Sequence, residues 1–289
     1  MKRVVLLVAL LSWASVVDAS GPLATGLALF ISCNETSNGS VQVDRADSSG
    51  NGRTFTDVNT VPSATATAGH PYTNQCFGTT TELLTRADDA GLHIGAGDGW
   101  TAALWIERKG AANVNAILFG RYNSAGGSTE AFAFATTTGT DVVALSVSSA
   151  VQTLTSALGI TLDKRTLLVA SKPTGSSNLT LYLRAFDGSW SSTGSGTIGQ
   201  TNAGTVATTI NGNSGGTATN ANVRIGPVMY WPSRLLDSGD RDALFNAGSG
   251  LTLAQMGGAC SSPGIGATSV GVTSVGRTSV GPTATSGCP

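Results

Sequence analysis

Carboxylates and histidines, the side chains that most often perform acid-base chemistry, are few and scattered in this chain of 289 residues. A retaining glycosidase needs two carboxyl groups about 5–5.5 Å apart, typically from a strand with the spacing E-x-D-x-x-E. The sequence has no such spacing, because its glutamates are isolated at Glu35, Glu82, Glu107 and Glu130. A Ser-His-Asp arrangement would have to use His70, which lies beside a proline, or His93, in the stretch R-A-D-D-A-G-L-H at residues 86–93. We therefore predict that the chain is not an enzyme.

A compact polar turn at residues 47–52, with the sequence D-S-S-G-N-G, brings hard oxygen ligands together. Asp47 supplies a carboxylate and Asn51 an amide oxygen, and the two glycines are free to adopt positive φ. Such ligands suit Ca²⁺, which binds about six to eight oxygens. The turn therefore predicts a calcium site with Asp47 and Asn51 as ligands. Because it has a single carboxylate, the alternative is an Asx-type turn that joins two strands without an ion.

Four cysteines, an even number, suit an exported protein with two disulfides. Four cysteines allow three connectivities, which sequence alone does not distinguish. We favour Cys33 with Cys76, since both lie on predicted strands, and Cys260 with Cys288, which would close the C-terminal tail into a loop. A zinc site is not predicted, because no two cysteines have the C-x2-4-C spacing.

The N-terminal residues 1–19 have the pattern of a secretory signal peptide. Lys2 and Arg3 precede an apolar stretch at residues 4–17, and the predicted cleavage site follows Ala19. The alternative, a membrane anchor, needs about 20 apolar residues, more than this stretch has. We predict an extracellular protein, secreted or at the cell surface, without membrane insertion after cleavage. The formal net charge of −1 gives no reason to expect a nucleic acid partner.

The strongest strand pattern, around which the other elements are organised, lies at residues 97–108. Trp100 and Leu104 fall on one parity and Trp105 on the other. This period of two, rich in aromatic and β-branched residues, predicts a strand in a sheet covered by two layers. Further strands are predicted at residues 27–31, 53–58, 116–122, 130–136, 141–148, 166–171, 179–186 and 223–231. Short, regularly spaced strands favour an all-β fold, an antiparallel β-sandwich with one short C-terminal helix.

The helix is predicted from its caps. Asp237 suits the N-cap, with Asp240 at the third helical position of a capping box, and Gly248 suits the left-handed position that ends the helix. First-turn acids that complement the helix dipole also account for Asp242, so these aspartates are not predicted to bind a metal. We expect the helix to close one end of the sandwich.

Two stretches are too polar or too small in side chain to form a core. Residues 191–222 are predicted to be a long loop with one weak strand near Val206. Residues 264–287 contain three T-S-V-G repeats, which predict a flexible tail or stalk. The alternative is a strand that becomes ordered in an assembly. The predicted organisation is a signal peptide at 1–19, a jelly-roll domain at 20–258 and a low-complexity tail at 259–289.

Five motifs follow one another in order along residues 24–256. They are an apolar strand before D-S-S-G-N-G at 47–52, C-F-G at 76–78 with E-L-L at 82–84, R-A-D-D-A-G-L-H-I-G at 86–95, the tryptophan strand at 99–107, and R-L-L-D-S-G-D-R-D-A-L-F-N-A-G-S-G-L at 234–251. In this order they resemble the LamG-like jelly-roll domains of the concanavalin A-like lectin/glucanase superfamily. The sequence departs from the family at Gly226-Pro227, where the family has an acidic pair that helps to hold calcium.

The resemblance implies carbohydrate binding on loops at one rim or on a concave sheet face, where aromatic planes stack on sugars. Trp190 and Tyr122 lie near predicted loops and are the predicted ligand-binding residues. The core is expected to contain the other tryptophans of the domain, Trp100, Trp105 and Trp231. We predict a secreted, non-catalytic carbohydrate-binding or adhesive module, with Ca²⁺ as cofactor and glycans or cell-surface proteins as partners.

The alternative function is a structural subunit of an extracellular filament, matrix or virion-like assembly. In that case the domain is a building block and the repeat tail a connector. A long exposed edge strand or self-association through the tail would favour this alternative.

Overall fold

The structure, a computed structural model, describes most of the predicted domain. The described residues are 23–35, 43–66, 68–78, 82–95, 98–110, 116–121, 132–136, 142–146, 154–176, 178–195, 206–212 and 222–257. The predicted signal peptide, Tyr122 and the tail with Cys260 and Cys288 lie outside them. Within these ranges, no helix combines the length and the apolar character that crossing a bilayer requires.

The described residues form fifteen strands and one α-helix. The strands are β1 (Leu29–Ile31), β2 (Thr56–Val58), β3 (Ser63–Thr65), β4 (Asn74–Gly78), β5 (Leu83–Arg86), β6 (Trp100–Arg108), β7 (Ile117–Gly120), β8 (Ala133–Thr136), β9 (Val142–Ser146), β10 (Leu154–Gly159), β11 (Arg165–Lys172), β12 (Leu179–Ala185), β13 (Ser191–Ser195), β14 (Thr208–Ile210) and β15 (Val223–Trp231). The helix α1 is Ser238–Phe245, and 3₁₀ turns lie at Ala90–Leu92 and Asn246–Gly248. The predicted all-β fold with one short helix is confirmed.

The strands pair as two antiparallel sheets. The eight-stranded sheet has the order β13-β12-β11-β6-β15-β4-β3, with β1 also paired to β15, and the seven-stranded sheet has the order β10-β9-β8-β7-β14-β5-β2. β6 is central in the first sheet, where Leu104 lies opposite Leu168 of β11 and Val228 of β15. The strand with the strongest sequence pattern therefore has a long partner on each side.

The two sheets face each other across the main hydrophobic core. Trp100 and Leu104 project from β6 into this core together with Phe132, which directly precedes β8 of the other sheet. The ring centroids of Trp100 and Phe132 lie 4.8 Å apart, and that of Phe132 lies 5.3 Å from the Tyr230 ring. Each large apolar side chain buried in this way contributes roughly 1.5–3 kcal/mol, so the contact between sheets is a principal source of stability.

A second core covers the other face of the eight-stranded sheet. Trp105 of β6 and Trp231 of β15 project into it, and the cover consists of α1 with the segments around Leu23 and Met256. The Phe245 ring of α1 stacks on Trp105 at 5.7 Å, and the Trp231 indole N–H donates to the Leu23 carbonyl over 2.9 Å. β6 is thus covered on both faces, as predicted.

The tryptophans assigned to the core are confirmed there, since Trp100, Trp105 and Trp231 are at most 1% exposed. The expected position of the helix is wrong. α1 packs on the outer face of the eight-stranded sheet and does not close an end of the sandwich, because the outward side chains of β6 and β15 need an apolar cover.

Three strands have no pattern that predicts them. β3 and β13 are outer strands of the eight-stranded sheet, and β10 is an outer strand of the other. β13, with the sequence S-S-T-G-S, falls within the stretch predicted as a loop. An outer strand pairs through its backbone on one side only, so it forms without the apolar alternation that marks a central strand.

The predicted disulfide between Cys33 and Cys76 is confirmed, and it joins two cysteines with a sequence separation of 43. β1 pairs with Val228–Tyr230 of β15, and β4 pairs with Val223–Ile225. Both therefore lie end to end along the edge of β15 that faces away from β6. The disulfide joins these two strands where the pairing of β15 shifts between Ile225 and Val228.

Removing this disulfide with the double variant Cys33→Ala/Cys76→Ala should lower the free energy of unfolding by about 2–4 kcal/mol, because the bond restricts a long loop in the unfolded chain. Urea denaturation of the oxidised wild type and the double variant measures the difference. An unchanged unfolding midpoint would contradict the prediction.

The capping box of α1 is also confirmed. The Asp237 carboxylate accepts from the Asp240 backbone N–H over 2.8 Å, and Asp240 accepts in return from Asp237 over 3.4 Å. α1 ends earlier than predicted, since Asn246 rather than Gly248 follows it in the left-handed conformation, with φ of 45°. Asparagine tolerates this conformation better than most residues.

Asp237→Ala should lower the free energy of unfolding by about 1 kcal/mol, because the cap loses its acceptor. Asp237→Asn is the matched control, since asparagine caps nearly as well as aspartate. Denaturation curves of the three proteins provide the measurement. Equal stabilities of the alanine and asparagine variants would show that the cap does not stabilise the fold.

Candidate functional site

A surface of aromatic rings and arginines lies on the outer face of the eight-stranded sheet, beside α1. Along β12, leucines alternate with Tyr182 and Arg184, so that the leucines face the inner core and these two side chains face outward. After the turn at Asp187 and Gly188, the chain returns as β13 and brings Trp190 alongside. We define the aromatic-arginine surface as Tyr182, Arg184, Phe186, Trp190, Arg241 and Asp242.

Trp190, one of the two residues predicted to bind ligand, is held in a defined orientation. Its indole N–H donates to a carboxylate oxygen of Asp242 over 2.7 Å. Its ring packs edge-on against Tyr182 at 6.5 Å and against Phe245 at 6.1 Å. The side chain is only partly buried. Trp190 therefore presents a fixed aromatic surface to solvent without having to order a flexible loop.

The arginines are positioned by the same rings. The Arg184 guanidinium lies 3.9 Å from the Phe245 ring centroid and donates to Asp242 over 2.9 Å. The Arg241 guanidinium lies 3.9 Å from the Tyr182 ring centroid. Cation-π contacts at exposed sites contribute about 0.5–1 kcal/mol each, enough to restrict both side chains. Apolar planes, N–H donors and one carboxylate acceptor thus lie together.

This combination suits a ligand that has both apolar C–H faces and hydroxyl groups. Aromatic planes cover the apolar face, and a few well-placed polar groups fix the orientation of the ligand. Phe186 extends the apolar part of the surface, since 50% of it is exposed. The surface therefore provides both kinds of contact on a rigid sheet and helix.

Trp190 was predicted from the sequence to bind ligand, whereas the residues that surround it in the structure were not. The signal for Tyr182 and Arg184 was present in the alternation L-T-L-Y-L-R at residues 179–184, which places both on the face opposite the leucines. Asp242 was assigned to the helix dipole, whereas its carboxylate accepts from Trp190 and Arg184. No local pattern predicts this role, because Trp190 and Asp242 are 52 positions apart.

The predicted calcium ligands lie in a turn that is already extensively hydrogen-bonded. The two carboxylate oxygens of Asp47 accept from the backbone N–H groups of Phe30, Ser49 and Arg53 over 2.9–3.0 Å, and from the Ser49 hydroxyl over 2.8 Å. The Asn51 amide donates to the carbonyl of Ala28 over 3.2 Å. Asp47 thus connects the turn to β1 through hydrogen bonds that do not require an ion.

Calcium at this turn stays a prediction. In the part of the chain that the structure describes, no three or more His, Cys, Asp or Glu side chains are grouped so as to hold a metal ion. The second predicted ligand-binding residue, Tyr122, lies outside the described residues.

The two histidines lie in different environments. His70 is within 2.9 Å of the Gly226 carbonyl through Nε2, and burial lowers its pKa. His93 Nε2 lies 2.8 Å from the Asp88 carboxylate, which also accepts from Arg121 over 2.7 Å. The predicted absence of catalysis stays a prediction.

Comparisons with known proteins bear on the fold. No protein-family model matches the chain, and no curated protein does. A mutant Trypanosoma rangeli sialidase with trans-sialidase activity matches 77% of the chain and 33% of its own, with a TM-score of 0.50 and 13% identity. Botulinum neurotoxin type C, which interacts with two ganglioside molecules, matches 78% of the chain and 52% of its own, with a TM-score of 0.51 and 8% identity.

An arabinofuranosidase, solved in complex with arabinofuranosyl-α-1,2-xylobiose, matches 71% of the chain and 50% of its own, with a TM-score of 0.52 and 12% identity. The chain thus spans a third to about half of the length of these structures. It shares a β-sandwich fold with them, and the resemblance to LamG-like domains stays a prediction.

Asp242→Ala should make Trp190 more accessible, because the indole loses its hydrogen bond and Arg184, which lies 5.7 Å from the indole ring, loses its ion pair with the same carboxylate. Acrylamide quenching of tryptophan fluorescence measures this accessibility, and we expect the quenched fraction to increase. The three core tryptophans are buried and should not respond. The same substitution in a Trp190→Phe background is the control, and an equal increase there would contradict the assignment to Trp190.

Proposed function

We propose that this chain is a secreted, non-catalytic glycan-binding β-sandwich and that it contacts sugars through the aromatic-arginine surface. Trp190 stacks on the apolar face of a sugar ring. Arg184, Arg241 and Asp242 form hydrogen bonds to its hydroxyls. The observation that carries the proposal is the fixed, partly exposed indole of Trp190, with charged donors and an acceptor beside it.

The side chains of this surface are preorganised for binding. Binding a flexible ligand costs conformational entropy, and each side chain that must also become ordered adds about 0.5–1.5 kcal/mol to that cost. Trp190, Arg184 and Arg241 already have their ring and hydrogen-bond contacts in the free protein. The surface therefore loses little freedom when a ligand binds.

Two further observations are consistent with this proposal. The Cys33–Cys76 disulfide suits an oxidising extracellular compartment, where such bonds persist. Among the solved structures that share the fold are the ganglioside-interacting neurotoxin and the arabinofuranosidase complexed with a sugar. Since a fold does not define a function, the proposal depends on the side chains of this chain.

No feature of the described residues favours the structural-subunit alternative. The outer strands of the two sheets, β13, β3, β10 and β2, have three to six residues each. Short outer strands offer little backbone for edge-to-edge assembly.

Trp190→Ala should abolish glycan binding or weaken it by at least about tenfold. The reason is that the apolar face of the sugar loses the aromatic ring on which it stacks, together with the apolar area of that ring. A glycan array screened with the full-length chain, followed by titration of the best ligand, measures the effect. Trp190→Phe is the matched control, since it keeps an aromatic plane and should retain part of the affinity. Binding that is unaffected by Trp190→Ala would place the glycan site elsewhere.

Calcium assistance is a separate proposal that the same array tests with a chelator. Loss of binding in chelator and in Asp47→Asn would assign the ion to the turn at residues 47–52. Binding that survives both would exclude a calcium requirement. No glycan bound in either condition, with the chain sedimenting as large particles, would instead support a structural subunit.

A further inference from the structure

The side chain of Arg165 lies under the edge of the aromatic-arginine surface. It extends from the start of β11 and is only 3% exposed. Its guanidinium is enclosed between two rings, 5.3 Å from the Trp105 centroid and 5.4 Å from the Phe186 centroid. Its Nη2 donates to the Gly248 carbonyl. One arginine is thus buried directly behind the exposed ring of Phe186.

Most of the hydrogen-bonding capacity of Arg165 is unused. An arginine has five N–H donors in a fixed planar fork. Its Nε and Nη1 are both buried, and neither has a hydrogen-bond partner among the described residues. A buried charged donor without an acceptor is costly, and such groups in native proteins call for an explanation.

The charge of Arg165 is also incompletely balanced. Glu107 lies opposite Arg165 in the pairing of β6 with β11. Its carboxylate accepts from Lys109 over 2.6 Å and lies 3.5 Å from the Arg224 guanidinium. Three cations therefore surround this buried carboxylate, and the only other anion paired with them among the described residues is Asp163, which lies 2.8 Å from Lys109. Burial lowers the pKa of Arg165, and the charge of Glu107 acts in the opposite direction.

We propose that Arg165 is an anion subsite, which binds the carboxylate or sulfate oxygens of an acidic sugar through its Nε and Nη1 groups. The inference rests on the proposed function, because the acidic sugar belongs to a glycan held at Trp190. The two sites are linked by direct contacts, since the Phe245 ring stacks on Trp105 and packs against Trp190.

Phe186 controls access to this subsite. Its ring is half exposed and lies against the backbone of Gly248, where a Cβ would come within 2.5 Å of it. Because half of Phe186 is exposed, we expect rotation of its ring away from Gly248 to uncover the guanidinium. A bound oxyanion then supplies the acceptors and the negative charge that Arg165 lacks.

The test compares two pairs of disaccharides by isothermal titration calorimetry with the full-length chain. In one pair a terminal glucose is replaced by glucuronic acid, and in the other a terminal galactose has or lacks a 3-sulfate. We expect the acidic member of at least one pair to bind about tenfold more tightly than its neutral counterpart, because hydrogen bonds to charged groups are the stronger kind. The pair that responds identifies carboxylate or sulfate.

Three variants separate a direct contact from general electrostatics. Arg165→Gln should abolish the preference and leave the affinity for the neutral sugar unchanged. Lys164→Gln, the matched control, removes an exposed neighbouring charge that pairs with Asp187 and should keep the preference. Phe186→Ala uncovers Arg165 and should keep or increase the preference, which provides a test even if Arg165→Gln does not fold.

The outcomes distinguish this inference from the proposed function. Equal affinities within both pairs, with binding that still depends on Trp190, would overturn the anion subsite alone. The anion subsite would also be overturned if the preference for the acidic sugar remains in Arg165→Gln or disappears in Phe186→Ala. The same conclusion would follow if Lys164→Gln reduces this preference as much as Arg165→Gln does. Failure of every sugar to bind would overturn both proposals.

Discussion

The need to cover both faces of β6 governs this structure. Every residue of β6 from Trp100 to Glu107 is buried, so neither parity of its side chains meets solvent. The inner parity requires the seven-stranded sheet, and the outer parity requires a second cover. Because burial of apolar surface contributes roughly 25 cal/mol per Å², a sandwich with one of these covers missing would lose a large part of its stability. The position of α1 follows from this requirement.

The candidate site is a consequence of that outer cover. α1 packs with Phe245 on Trp105, and this places Asp242 of the same helix next to Trp190. The arginines of β12 and α1 then lie across rings that the cover already holds. The apolar packing that stabilises the sheet thus also fixes the polar groups at its surface. A ligand site of this kind depends on the stability of the whole outer layer.

Local patterns in the sequence were sufficient for the parts of the fold that depend on local physics. The alternation around Trp105 predicted a strand buried on both faces, and the capping box at Asp237 predicted where α1 begins. The placement of α1 was not predictable, because it depends on which parity of β6 lacks a cover. The neighbours of Trp190 were missed for a related reason. They come together through strand pairing and helix packing between segments distant in sequence, and Arg165 is buried by residues from three such segments.

The disulfide gives the domain a mechanical property. β1 and β4 lie end to end on one edge of β15, and Cys33–Cys76 joins them. Tension applied at the N-terminal side passes through the sulfur bridge into β4 and bypasses the intervening chain. The chain from one cysteine to the other has a sequence separation of 43, which corresponds to roughly 140–155 Å at full extension, and it cannot be stretched while the bond is intact. Reduction would convert a short, stiff link into a long, extensible one.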